Sequence, residues 1–151
     1  MRKAFFILVS IVISGCATTP VVTLDEHKVV KNPVQKTSIF YYYLDPVNPT
    51  QAASVVRGNF LWKENCLYLI DGEHKVYTAV FPEFPKGIVN WDEVTKTIEL
   101  NGRVFKMGDY IYTNGSYQSY TPNTVGGIEY EKQGDKKCLT PSIVKIGTFF
   151  D

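Results

Sequence analysis

The chain has 151 residues, with 16 basic and 15 acidic side chains and a formal charge of +1. That balance excludes the basic footprint by which nucleic-acid-binding domains hold phosphate. The length suits a single domain with a core of its own, and ten tyrosines among many aromatics favour strands over helices.

The N-terminus sets the context. Arg2 and Lys3 are followed by an apolar run from Ala4 to Ile13, broken only by Ser10, and the run closes on Ile13-Ser14-Gly15-Cys16. A basic start, a short apolar stretch and small residues at the cut describe a secretory signal peptide over 1–15. About ten apolar residues fall far short of the ~20 that a spanning helix needs. Ile13-Ser14-Gly15-Cys16 resembles the lipobox of bacterial lipoproteins, in which an aliphatic and two small residues precede the cysteine that becomes residue one. The resemblance implies that Cys16 is lipidated and becomes the mature N-terminus. One acyl chain holds a protein only marginally at a membrane, whereas two or three anchor it firmly. Family sorting rules take an aspartate after the cysteine as an inner-membrane signal. Ala17 stands there, which in a Gram-negative host implies an outer-membrane protein facing the periplasm.

Loss of Arg2 and Lys3 with the signal leaves 14 basic against 15 acidic residues, a charge near −1. It also leaves two cysteines beyond the lipidated one. Cys66 and Cys138 then lie in an oxidising compartment, where pairing is expected. A bridge closing about 72 residues is worth roughly 4 kcal/mol in the chain-entropy account. The alternative is two buried thiols. A catalytic role for Cys66 has no support, since Asn65, Leu67 and Tyr68 offer nothing that activates a thiol.

Residues 16–36 read as the lipidated end and a flexible tether, with Pro20 and Pro33 near its limits and scattered valines between. The globular domain then occupies 37–151. Its first strand is predicted over 37–44 (TSIFYYYL), ended by Asp45-Pro46-Val47-Asn48-Pro49. Thr50 is placed to cap one helical turn through 50–54. Residues 54–62 alternate, with Val56, Gly58, Phe60 and Trp62 on one face and Arg57 and Asn59 on the other. CLYLI (66–70) has the composition of a strand covered on both faces. Asp71-Gly72-Glu73-His74 is a turn, KVYTAVF (75–81) a further strand, and Pro82, Pro85 and Gly87 mark a loop.

Asn101-Gly102 is the pair that a two-residue type I′ turn requires. It predicts a hairpin over 96–107 in which Leu100 faces Arg103, Glu99 faces Val104, Ile98 faces Phe105 and Thr97 faces Lys106. Ile98, Leu100, Phe105 and Met107 then share the buried side. A second Asn-Gly pair at 114–115 predicts another turn, between short strands at 110–113 and 116–120. Residues 128–131 are assigned as a strand, 133–137 as a charged turn, and 142–150 as holding the last strand. Many short strands with regular turns predict an all-β domain, a small single antiparallel barrel or sandwich. From 55 to 115, the order of Gly58, Cys66-Leu67-Tyr68, Phe81-Pro82, Gly102, Gly108-Asp109 and Gly115 resembles small bacterial lipoproteins with an OB-like barrel. That resemblance implies a fold and no activity.

Chemistry is sparse. Asp71, Glu73 and His74 are the nearest approach to a ligand set, but a turn presents them without convergence, so no metal or other cofactor is expected. His27 lies in the tether. No nucleophile elbow, phosphate-binding glycine loop or zinc-helix motif occurs, and no enzymatic activity is expected. Tyr110, Tyr112, Tyr117 and Tyr120 cluster within eleven residues. They either pack the barrel wall or form a surface for a protein or a sugar, since tyrosine gives rigid amphipathic contact. The sequence thus predicts a non-enzymatic, lipid-anchored envelope protein whose barrel binds an envelope protein partner. The alternatives are a peptidoglycan or glycan module and, by class analogy, a lysozyme inhibitor.

Overall fold

The computed structural model describes residues 36–48 and 50–150. Cys16, the signal peptide, His27 and the tether up to residue 35 lie outside them. Nine strands are described: β1 (Phe40–Tyr42), β2 (Ser54–Lys63), β3 (Cys66–Ile70), β4 (Val76–Pro82), β5 (Val89–Asp92), β6 (Thr97–Leu100), β7 (Arg103–Lys106), β8 (Tyr110–Ser119) and β9 (Ser142–Phe150). Helix α1 (Val125–Glu131) and a 3-10 turn (Lys136–Cys138) lie between β8 and β9.

Five strands close into a barrel in the order β4-β3-β2-β8-β9, with β9 returning to β4. Most pairings are antiparallel, while β4 runs parallel to β9, and β1 adds parallel to the end of β4. This is an all-β, OB-like barrel. A separate antiparallel meander, β5-β6-β7, is inserted between the third and fourth barrel strands.

Alternation puts Val56, Phe60, Leu69, Phe81, Ile111 and Ile146 inside the barrel, all at most 2 % exposed. Phe60 is at its centre, with its ring 5.6 Å from Phe105 and 6.5 Å from Phe81. The meander hairpin has the register read from the sequence, Thr97↔Lys106 through Leu100↔Arg103. Asn101 and Gly102 both hold positive φ, 47° and 80°, as the type I′ turn demands. Ile98 and Leu100 are fully buried, and Phe105 and Met107 pack against them from the rim.

Four local expectations are corrected. Asn114-Gly115 is not a turn: β8 runs unbroken from Tyr110 to Ser119 and pairs with β2 on one side and β9 on the other. The pair sits instead at a bulge, where Thr113 faces Phe150 but Gly115 faces Ile146. There Asn114 replaces the lost ladder with its side chain, accepting from Phe149 N–H (3.0 Å) and donating to Ala52 O (3.0 Å) and Gln51 Oε1 (3.1 Å). Gly115 holds φ 155° and passes so close to the Lys145 carbonyl that a Cβ would overlap it. Residues 128–131 are helical, because Thr124 caps α1 by accepting from Gly127 N–H at 3.1 Å. No helical turn forms over 50–54, where Gln51 bonds Thr148 instead. The first strand is only three residues long. The meander's leading strand, β5, follows the loop marked by Pro82, Pro85 and Gly87, in a stretch to which the sequence assigned no element.

The segment 120–141 folds back across the outer face of β3 and β4. Cys138 is joined to Cys66 by a disulfide, and both are buried. Thr78, buried on β4, donates to Cys138 O (2.7 Å) and meets Thr140 Oγ1 at 3.2 Å. Phe40, Leu44, Val80 and Ile143 fill the layer between. Within the segment, Glu131 accepts from Tyr120, the Asn123 N–H and Lys136. The Lys136 bond foremost holds its pKa down at about 2.

The chain enters the domain through a polar clasp. Thr37 N–H and Oγ1 both donate to Glu93, and Trp62 Nε1 donates to Thr37 Oγ1 at 3.0 Å. Glu93 also accepts from Trp91 and Lys96, and the Lys96 ammonium stands 4.4 Å from the Trp62 ring centre. Burial alone would raise the Glu93 pKa, but these donors outweigh it and bring it to about 2.

Candidate functional site

In OB barrels, the outer face of the second and third strands and the loops beside it form the usual ligand surface. Those strands are β3 and β4 here. The disulfide-pinned 120–141 segment and β1 cover most of their outer face with the second apolar layer described above. The site must therefore be sought elsewhere.

An opening exists along β2. Residues 54–59 pair with β8, but only 59–63 pair with β3. Between Ser54 and Gly58, β2 has no strand on its second side among the described residues. Phe60 shows the direction of the ladder, since its N–H donates to Asp109 O (3.0 Å) and its C=O accepts from Gly108 N–H (2.7 Å), both on the β8 side. By antiparallel alternation, Val55 and Arg57 point their N–H and C=O the other way, into the opening.

A groove of about 520 Å³ lies there, walled by Arg57 and Asn59 of β2, Asp71 and Glu73 of the β3–β4 turn, and Tyr77, Tyr110 and Tyr117. Tyr77 and Tyr117 close the barrel end beneath it, with ring centres 4.8 Å apart. The Tyr77 hydroxyl donates to Asp71 Oδ2 at 2.9 Å. Burial first, and then the Asp71 bond and charge, push the Tyr77 pKa up to about 12. Burial works against the Asp71 charge, but bonds from the Lys75 N–H, the Tyr77 hydroxyl and the Glu73 N–H hold its carboxyl below the usual range. At neutral pH Tyr77 is thus a donor, Asp71 a satisfied carboxylate, and neither is poised to move a proton. Arg57 and Glu73 make no ion pair among the described residues, so the groove offers one free cation and one free carboxylate on opposing walls.

The four tyrosines singled out in the sequence separate. Tyr110 and Tyr112 alternate on the outer face of β8 and stay exposed, opposite Asn59 and Arg57 of β2. Tyr117 lies past the bulge and reaches back over the β2 edge, with its hydroxyl 3.3 Å from both Arg57 N and Arg57 O. Tyr120 belongs to the 120–141 segment, where it is half-buried and donates to Glu131. Three of the four therefore surround Arg57. Arg57, Asp71 and Tyr77 complete the groove and carry no sequence motif. The alternation of β2 marked Arg57 as solvent-facing, but only the β2–β8 pairing brings it to the tyrosines.

A cleft of about 480 Å³ runs between β1 and the loop before β5. The Gln133 side chain fills the β1 edge beside it, accepting from Tyr41 N–H (2.6 Å) and donating to Tyr41 O (3.0 Å). Among the described residues, no three His, Cys, Asp or Glu side chains are grouped to hold a metal. His74 holds φ 63° in the β3–β4 turn, its N–H bonded to Asp71 O.

No protein-family model, curated protein or solved structure matches this chain.

Proposed function

We propose that this is a non-enzymatic lipoprotein of the bacterial cell envelope, anchored through lipid on Cys16 at the outer membrane, whose barrel binds a protein partner through the groove beside β2. The lipobox over Ile13-Ser14-Gly15-Cys16 supports the anchor. The half-open edge of β2, with Tyr110 and Tyr117 lining the groove and Tyr112 exposed across the ladder from Arg57, carries the binding assignment. Rigid aromatic anchors around one arginine are the composition in which protein interfaces concentrate their binding energy. The charged walls supply orientation.

The test is photo-crosslinking in intact cells from position 110 or 112, with Cys16 unaltered. A discrete adduct with one envelope protein is expected, and it should disappear when Cys16→Ser releases the protein from the membrane fraction. Absence of any protein adduct from an anchored, folded chain overturns the assignment. Unchanged fractionation of Cys16→Ser overturns the anchor.

A second reading, a glycan module, is favoured by one observation. Tyr110 and Tyr117 line the same groove as Asn59 and Asp71, the pairing of ring faces with amide and carboxylate groups that sugars require. Retention on isolated peptidoglycan that falls with Tyr110→Ala would select it.

A further inference from the structure

We propose that the groove receives its partner as an extended segment that adds antiparallel to the open edge of β2, with the Tyr117 hydroxyl occupying that edge until the segment arrives. This rests on the protein-partner reading above and specifies how it works.

The first observation is the edge itself. By alternation Val55 and Arg57 direct their backbone groups to the side of β2 away from β8, Arg57 at the groove, and no strand pairs with them there among the described residues. Strand addition of this kind draws its affinity from main-chain hydrogen bonds and its selectivity from alternate side chains. Of the other edges among the described residues, β5 and β7 of the meander each pair only with β6 and lie outside the groove, whereas those of the barrel sheet are covered. Gln133 bonds both backbone groups of Tyr41 on β1, and β9 closes the barrel against β4.

The second observation is what stands at the edge now. Tyr117 Oη accepts from Arg57 N–H and donates to Arg57 O, both at 3.3 Å. Both groups of one residue are thus met at one point, as a single residue of an antiparallel strand would meet them. The distances exceed the upper ends of the ranges common for N–H···O and O–H···O bonds, by about 0.1 Å and about 0.3 Å. A backbone amide and carbonyl at normal spacing would replace them favourably.

The third observation fixes the chemistry of the segment. Among the described residues, neither Glu73 on the turn wall beside Asp71 nor Arg57 on the strand wall forms an ion pair. The segment therefore carries a lysine or arginine towards the β3–β4 turn and an acidic or carbonyl-rich side towards Arg57.

The experiment uses the full lipidated chain in cells, with a photo-reactive residue placed at Ala53 or at Val55. Strand addition expects both positions to label one segment of one protein, at sites two residues apart and in reversed order. Val55→Pro removes an N–H that faces the open edge and spares the β8 ladder, and should abolish labelling from position 53. Tyr117→Phe should raise labelling roughly 2–10-fold, the equivalent of one net hydrogen bond. Labelling from positions 110 and 112 without that ordered pattern, or persisting in Val55→Pro with the fold intact, overturns strand addition and leaves the protein-partner reading standing. No protein labelling from any of the four positions overturns both.

Discussion

The Tyr117 hydroxyl meets the N–H and the C=O of Arg57 at the same 3.3 Å, so a side chain from β8 completes the backbone of β2 across the barrel mouth. That contact makes the state of the edge measurable without a partner. In Tyr117→Phe the Arg57 amide should exchange with solvent faster, while global stability changes by no more than about 1 kcal/mol, the net worth of one exposed hydrogen bond. Amide exchange followed by NMR or mass spectrometry decides this. Unaltered protection at Arg57 would mean the hydroxyl does not guard the edge.

The Cys66–Cys138 bridge spans 72 residues and fastens the 120–141 segment to the first residue of β3. Replacing both cysteines by serine should cost roughly 2–4 kcal/mol in denaturant unfolding. Native protein should take up no thiol label at either position. Two labelled thiols in the folded, oxidised protein would contradict the bridge.

Glu93 gives the domain an acid-sensitive term. Its pKa falls from 4.5 to about 2 on folding, so between those values the unfolded chain binds the extra proton. Its stabilisation is complete above about pH 4.5 and is lost as the pH falls through about 2. The carboxylate is 28 % exposed, and solvent screening holds its share to about 1 kcal/mol. In Glu93→Gln, stability at neutral pH should drop by that amount, and the difference from the parent should vanish towards pH 2. A difference independent of pH would assign the loss to packing.

Two glycines should respond in opposite directions. Gly115→Ala drives a methyl into the Lys145 carbonyl at a positive φ and should cost about 1–3 kcal/mol. Gly126→Ala meets nothing within 4 Å at the start of α1 and should be neutral or stabilising by about 0.4–1 kcal/mol. Thermal unfolding of the pair checks both signs.

Inside the barrel, Phe60→Ala should cost about 3–5 kcal/mol, since the ring is 2 % exposed and its partners are held by closed strands. Loss below 1 kcal/mol would place the core elsewhere.

How far the sequence reached depended on the range of the forces involved. Strands β2, β3, β4 and the β6–β7 hairpin announce themselves through alternation and one turn pair, because both are local. Asn114-Gly115 has the same local signature as Asn101-Gly102, yet its flanks pair with β2 and β9 rather than with each other. Long-range pairing overrode the turn preference, and Asn114 was used for its side chain. Helix α1 was hidden by Gly126 and Gly127, which lower helix propensity, and its one legible cue was Thr124. The site was half visible. Its tyrosines stood out by number, while Arg57, Asp71 and Tyr77 entered through tertiary pairing, which the sequence does not spell out.

The clasp at Thr37 also fixes a mechanical geometry. Thr37 is held by Trp62 near the C-terminal end of β2, and Arg57 lies five residues earlier on the same strand, a span of roughly 17 Å. Tension between the lipid anchor proposed at Cys16 and a segment gripped at the groove would run along the axis of β2. Between Arg57 and Trp62, β2 pairs with β8 through Asn59 and with β3 from Asn59 onward, so the load would fall on these ladder bonds together in shear instead of peeling them one at a time. β1, only three residues long, would be spared.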